Sequence, residues 1–173
     1  DGHGIPVMPG FVAPTEGSSS KVFSIDIRPF CTMGFADEKA GDGVGGWSDE
    51  GPFNDMRDMP LGRQLYYNVP FTVIDPKENT GKAVITLKSR NITATQPSSV
   101  KGIPVGRKVR NLYFLHAAAW GTPGTVGSYT VHYADGTSAE ITLAVPDTIN
   151  NWWNGYDPKE RAKPVAVRVS NTA

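Results

Sequence analysis

An antiparallel β-sandwich is the fold class this sequence predicts, and three observations predict it. Glycine and proline are abundant, at 19 and 14 of 173 residues, and both interrupt regular helix. No long stretch repeats apolar residues at helical spacing. Short apolar runs recur instead between turn signals, and about seven such runs suit two packed sheets.

Residues 1–20 lack periodicity, and Pro6, Pro9, Pro14 and the Ser18-Ser19-Ser20 run read as an extended arm or linker. The sandwich domain is predicted over 21–173. Val22-Phe23-Ser24-Ile25-Asp26-Ile27 alternates and places Phe23, Ile25 and Ile27 on one strand face. Val69-Pro70-Phe71-Thr72-Val73-Ile74 is the next strand, with Pro70 fitting an edge or a strand start. Asp75-Pro76 and Asn79-Thr80-Gly81 turn the chain into a strand at Ala83-Val84-Ile85-Thr86-Leu87-Lys88. Val109 to Ala119 is apolar on both faces in its middle, as in a central strand; a buried helix is the alternative.

The clearest local pattern is a hairpin. Ser128 to Tyr133 alternates, Ala134-Asp135-Gly136-Thr137 turns, and Ala139 to Leu143 alternates back. Asp-Gly accepts the positive φ angles of a tight hairpin turn. Tyr129, Val131, Tyr133, Ile141 and Leu143 then face the core. Val165 to Val169 is the last predicted strand, and the chain stops soon after at Ala173. The expectation is that one covering strand is missing and that an edge is open to a neighbouring chain, to the arm or to a downstream segment.

Composition narrows the function. Apolar residues make up 39% of the chain, enough to build a core. Seventeen basic and seventeen acidic residues cancel without a basic patch, which argues against a nucleic-acid partner. No apolar run reaches the roughly 18 residues of a membrane span. Cys31, the only cysteine, leaves no internal disulfide and no cysteine-based zinc site, and reads as a small core residue. The first residue is Asp1, so the expectation is a processed or excised segment from a secreted or cell-surface protein.

The chemistry concentrates in one stretch. Asp37, Asp42, Asp49 and Asp55 recur within a glycine-rich run that also carries Trp47. Such a loop brings carboxylates and carbonyls around a hard cation such as calcium, with Asp26 as an outlying candidate. The spacing is not that of an EF-hand, and the competing reading is that these acids cap turns. Arg57 is placed to pair with one of them.

The other tryptophans are Trp120, in Trp120-Gly121-Thr122-Pro123-Gly124, and Trp152-Trp153, beside Asn151 and close to Tyr156. Flat aromatics bordered by Asn and Asp suit the C–H faces and hydroxyls of a sugar. In a strand, adjacent tryptophans point to opposite faces, so one packs and one is displayed; the competing reading is that both pack. His116 reads as a core histidine and His132 as an outward one. No Gly-x-Ser-x-Gly elbow is present, so a serine triad has no support and the chain reads as non-enzymatic.

The order of these segments is itself a pattern. An acidic Gly-Gly-Trp loop is followed by Asn54-Asp55-Met56-Arg57-Asp58-Met59-Pro60-Leu61-Gly62, Val69-Pro70-Phe71, Leu112 to Ala117, Tyr129 to Gly136 and Asn151-Trp152-Trp153. Over residues 21–173 this resembles the galactose-binding-like jelly-roll domains of carbohydrate-binding-module type, found in secreted bacterial proteins. The resemblance implies a jelly-roll β-sandwich, a structural calcium and a sugar site on loops or on a concave face. The arm at 1–20 and the missing last strand depart from that pattern.

The function expected from the sequence is therefore a non-catalytic, calcium-braced carbohydrate-binding domain of a secreted or cell-surface protein, taking a polysaccharide or oligosaccharide. The alternative is a structural subunit of an extracellular assembly, meeting other copies or other domains through its open edge.

Overall fold

Short β-prone runs broken by glycine and proline give short ladders, and that is the architecture found. The computed structural model describes residues 22–44, 46–66, 68–89, 96–152 and 169–170. The arm at 1–20, the segment holding Trp153 and Tyr156, and most of the last predicted strand lie outside the described residues. The described chain is β-rich, and its helical segments are single 3-10 turns at Arg28–Phe30 and Pro76–Glu78. No helix among the described residues is long and apolar enough to cross a membrane.

Contacts divide the chain between Lys108 and Val109 into two units. In the first, β1 (Gly62–Tyr66) pairs antiparallel with β2 (Val69–Val73). Register partners include Arg63 with Thr72 and Leu65 with Pro70. The ladder is two-stranded, which tolerates a proline lacking an N–H. β1 has no counterpart in the sequence reading; its Gly-Arg-Gln-Leu-Tyr stretch shows too little alternation to signal a strand.

Two predicted strands of this unit take a looser form. Residues 22–27 keep the expected alternation, with Phe23, Ile25 and Ile27 the less exposed residues, but enter no ladder. Ser24 is tied to Thr72 by a 3.0 Å hydroxyl contact instead. At 83–88 only Val84 forms a bridge, to Met33. The reason is local: the Thr32 hydroxyl accepts the Thr86 N–H at 2.8 Å and contacts the Thr86 carbonyl oxygen at 3.0 Å. A side chain thereby satisfies backbone groups that a ladder would otherwise pair. The core beneath is Cys31, Phe35, Val73, Ile74 and Ala83, with Ile27, Met56, Met59 and Val84 packed on it. Burial pushes the Cys31 thiol above its ordinary pKa, as suits a core residue.

In the second unit the hairpin forms as predicted, with β4 (Gly124–His132) antiparallel to β5 (Ser138–Val145). Tyr129 opposes Ile141 and Val131 opposes Ala139, and the inward parity is the predicted one. The turn differs in detail. Gly136 adopts φ +85 while Asp135 does not enter the left-handed region. Gly136 N–H bonds the Tyr133 carbonyl and Tyr133 N–H bonds the Thr137 carbonyl, so the turn closes with a glycine bulge rather than two left-handed residues.

The run at 109–119 corrects the expectation of a central strand. Only Asn111–Leu112 (β3) is strand, paired with Val169–Ser170 (β6). Leu115 is 50% exposed, so the run is not covered on both sides. Phe114 and His116 flank it and lean on Tyr129, with the Phe114 and Tyr129 rings stacked at 4.1 Å and 12°. Aromatic packing thus holds a segment that lacks a ladder. Leu143, Val145 and Ile149 form the buried cluster, with Ala118 and Tyr129 against it.

Leu143→Ala removes a buried anchor of this small cluster and should cost about 2–5 kcal/mol of stability. Thr130→Ala, on the exposed face of β4, should change stability by less than about 0.5 kcal/mol. Denaturant titration of both variants checks the assigned parity.

Candidate functional site

Residues 37–57 cannot hold their shape by regular structure, because glycine favours none. Their order comes from carboxylates. Asp37 has no exposed surface. Its Oδ1 accepts Lys39 N–H at 3.2 Å and its Oδ2 accepts Gly51 N–H at 2.7 Å. Asp49 accepts the N–H groups of Asp42 and Gly43 at 3.1–3.3 Å. Asp42 accepts Val44 N–H at 2.9 Å. Gly46, at φ +44, passes so close to Asp37 that a Cβ there would lie 2.3 Å from the Asp37 Cβ.

The turn-capping reading of these acids is therefore what their hydrogen bonds show. The acids also converge. One carboxylate oxygen from each of Asp37, Asp42 and Asp49 lies within 4.8 Å of the others. Oxygens that share one bound cation at about 2.1–2.4 Å lie within about 4.8 Å of one another. Asp49 Oδ1 accepts two N–H groups, whereas Asp37 Oδ1 and Oδ2 and Asp42 Oδ1 each accept one and keep a spare lone pair. The donor set is hard and oxygen-only, and it could hold a metal ion.

Asp55 stands outside this triad and has a different task. Its Oδ2 accepts the Asp37 N–H at 2.8 Å, and Arg57 grips both its oxygens through Nε at 3.0 Å and Nη2 at 2.7 Å. Arg57 also reaches the Asp37 carbonyl at 3.0 Å and Glu38 at 3.4 Å. Burial raises the Asp55 carboxyl, but hydrogen bonds from the Arg57 side chain and from the Asp37 and Arg57 amides outweigh it and leave the pKa lowered. The predicted partnership of Arg57 with one of these aspartates is found here.

Of the aromatic candidates, Trp47 is partly buried within the acidic loop and Trp152 is partly buried with its N–H on the Ala118 carbonyl at 3.0 Å. Trp120 is the displayed one, at 37% exposure. It sits at φ +51, a conformation that strains a bulky residue by about 1–3 kcal/mol. Asn151 holds it there by bracketing the next residue: Gly121 N–H donates to Asn151 Oδ1 at 2.6 Å and Asn151 Nδ2 donates to the Gly121 carbonyl at 2.7 Å. Asn151 is thus a clamp on the Trp120 turn. Gly121 has no room for a side chain, since a Cβ would lie 2.9 Å from Val145 Cγ2.

His116 is half-buried, with Nδ1 3.1 Å from the Tyr129 hydroxyl. Burial holds its pKa below the ordinary histidine value, partly offset by the backbone of Thr148. Burial also pushes Tyr129 up to about 12. His132 is exposed on β4.

Two features escaped the sequence reading. Phe53, on the acidic loop, is fully exposed, and Val44 is 71% exposed; a Gly-Pro-Phe turn does carry a weak signal for such display. The second is a cleft beside β2, described below, whose residues share no spacing. No family model, curated protein or solved structure matches the chain.

Acid stability tests the Arg57 latch. A carboxyl whose pKa is lowered on folding contributes stability at pH above its ordinary value of about 3.9, and that contribution is lost as pH falls through the folded value. Asp55→Asn should therefore be less stable than the parent at pH 7, and the gap should narrow below about pH 4. Denaturant curves at pH 7 and pH 3 measure it; an equal gap at both places Asp55 outside the acid transition.

Proposed function

We propose that this chain is a non-catalytic carbohydrate-binding domain of a secreted or cell-surface protein, built as a jelly-roll sandwich and braced by calcium. The observation that carries the reading is Trp120. A large aromatic is held in a strained backbone by a dedicated asparagine and left partly exposed. Strain of this kind persists where the surrounding structure enforces it, and binding sites are where it accumulates. A displayed indole beside amide groups offers a stacking plane and hydroxyl partners, which is what a sugar ring requires. The resemblance noted in the sequence supports the same reading, and the aspartate triad supports the calcium.

Binding at a shallow platform is weak, with dissociation constants between about 1 μM and 1 mM. A polysaccharide panel with the parent and Trp120→Ala tests the site. The variant should lose binding at least tenfold and stay folded, with a fall in melting temperature that reflects the covered part of a ring 37% exposed. If nothing on the panel binds, the sugar reading falls and the assembly subunit replaces it.

The calcium brace has its own test. A ion bound only to the folded state at 100 times its dissociation constant adds about 2.7 kcal/mol, or on the order of 5–10 °C in melting temperature. EDTA should remove that increment from the parent and not from Asp42→Asn. An unchanged parent melt, with no metal by elemental analysis, rejects the brace.

A further inference from the structure

Beside β2, in the first unit, lies a cleft of about 140 Å³. Its described lining is Val22, Phe23, Ser24, Arg63, Pro70, Phe71 and Thr72. That volume holds on the order of five waters at about 30 Å³ each, enough for one end of a sugar ring with a charged substituent.

The lining has a definite chemistry. Arg63 and Thr72 are register partners across β1 and β2, so they share a face, and both are exposed. Ser24 joins them through its 3.0 Å contact with the Thr72 hydroxyl. No carboxylate is among the described lining residues. The Arg63 guanidinium has no ion pair or hydrogen bond among the described residues. Phe23, which lines the cleft, also carries Arg107 4.0 Å over its ring.

A guanidinium presents N–H donors in a planar fork that matches a carboxylate or sulfate with two parallel hydrogen bonds. The two hydroxyls donate and accept, as sugar hydroxyls do. We infer that this cleft binds an acidic sugar residue, carboxylated or sulfated, with Arg63 on the anionic group and Ser24 and Thr72 on ring hydroxyls. This assignment rests on the carbohydrate reading and names the ligand class within it.

The test is an NMR titration of the full chain in EDTA, so that calcium cannot bridge an acidic ligand to the aspartate loop. Three probes are used: trigalacturonate, its neutral methyl ester and a sulfated galactan oligosaccharide. The expected result is binding of at least one anionic probe, with shifts at Ser24, Arg63 and Thr72, and at least tenfold weaker binding of the ester. The two anionic arms separate carboxylate from sulfate. Arg63→Gln should weaken the anionic probe at least tenfold with an unchanged melt, and Arg63→Lys should restore part of it. Ester binding equal to the acid, shifts confined to residues 37–55, or full affinity in Arg63→Gln overturns the assignment. Binding of neutral glycans alone overturns it and leaves the carbohydrate reading standing. Binding of no glycan of either kind removes both.

Discussion

Asp37 is an acidic side chain with no exposed surface, in a loop whose Val44 and Phe53 side chains face solvent. Burying a carboxylate is costly unless donors replace its water. Here Lys39 and Gly51 supply them, and Asp37 in turn offers its own N–H to Asp55 and its carbonyl to Arg57. The loop closes on this residue from both sides. Gly46 must lack a side chain because Asp37 occupies the space. Met56, two residues past the last glycine-rich turn, donates its N–H to Phe35 at 3.1 Å and packs on the first unit's core. Polar order in the loop and apolar order beneath it are therefore one construction, joined at residues 35–37 and 55–57.

The same logic explains why two readings of the aspartates do not compete. Turn capping positions the carboxylates and leaves lone pairs on Asp37 and Asp42. Like charges gathered this closely repel, backbone amides offset part of that cost, and a bound cation would offset more.

Some of this was legible in the residues. Alternation with Asp-Gly between two runs identified the hairpin, because side-chain parity and turn chemistry are both local. The acidic loop was legible for a similar reason: glycine and aspartate at that density suit nothing else well. What the sequence hid was non-local. Thr32 spending its hydroxyl on Thr86, and so replacing a ladder rung, depends on residues 54 positions apart. The run around Leu112 to Ala117 looked like a central strand because composition does not show which partner is absent. Tyr129 supplies the packing instead. Asn151 read as a sugar contact by its neighbours, while its hydrogen bonds with Gly121 make it the clamp that presents Trp120. The cleft at Arg63 was illegible, since Ser24, Arg63 and Thr72 are brought together only by the pairing of β1 with β2 and by the Ser24 contact.

Net charge also concealed an asymmetry. The chain sums to zero, but residues 37–58 hold seven acids against two bases. The remainder then carries ten acids against fifteen bases. A neutral total therefore conceals an acidic stretch of sequence that includes the three aspartates of the triad. The acidic loop repels anions, whereas the β1–β2 cleft presents the Arg63 guanidinium, which has no ion pair among the described residues. Fields of this kind decide which sign of ligand each surface admits, more than they decide how tightly it is held. A cation at the loop and an anion at the cleft are accordingly the two proposals that charge favours in the first unit.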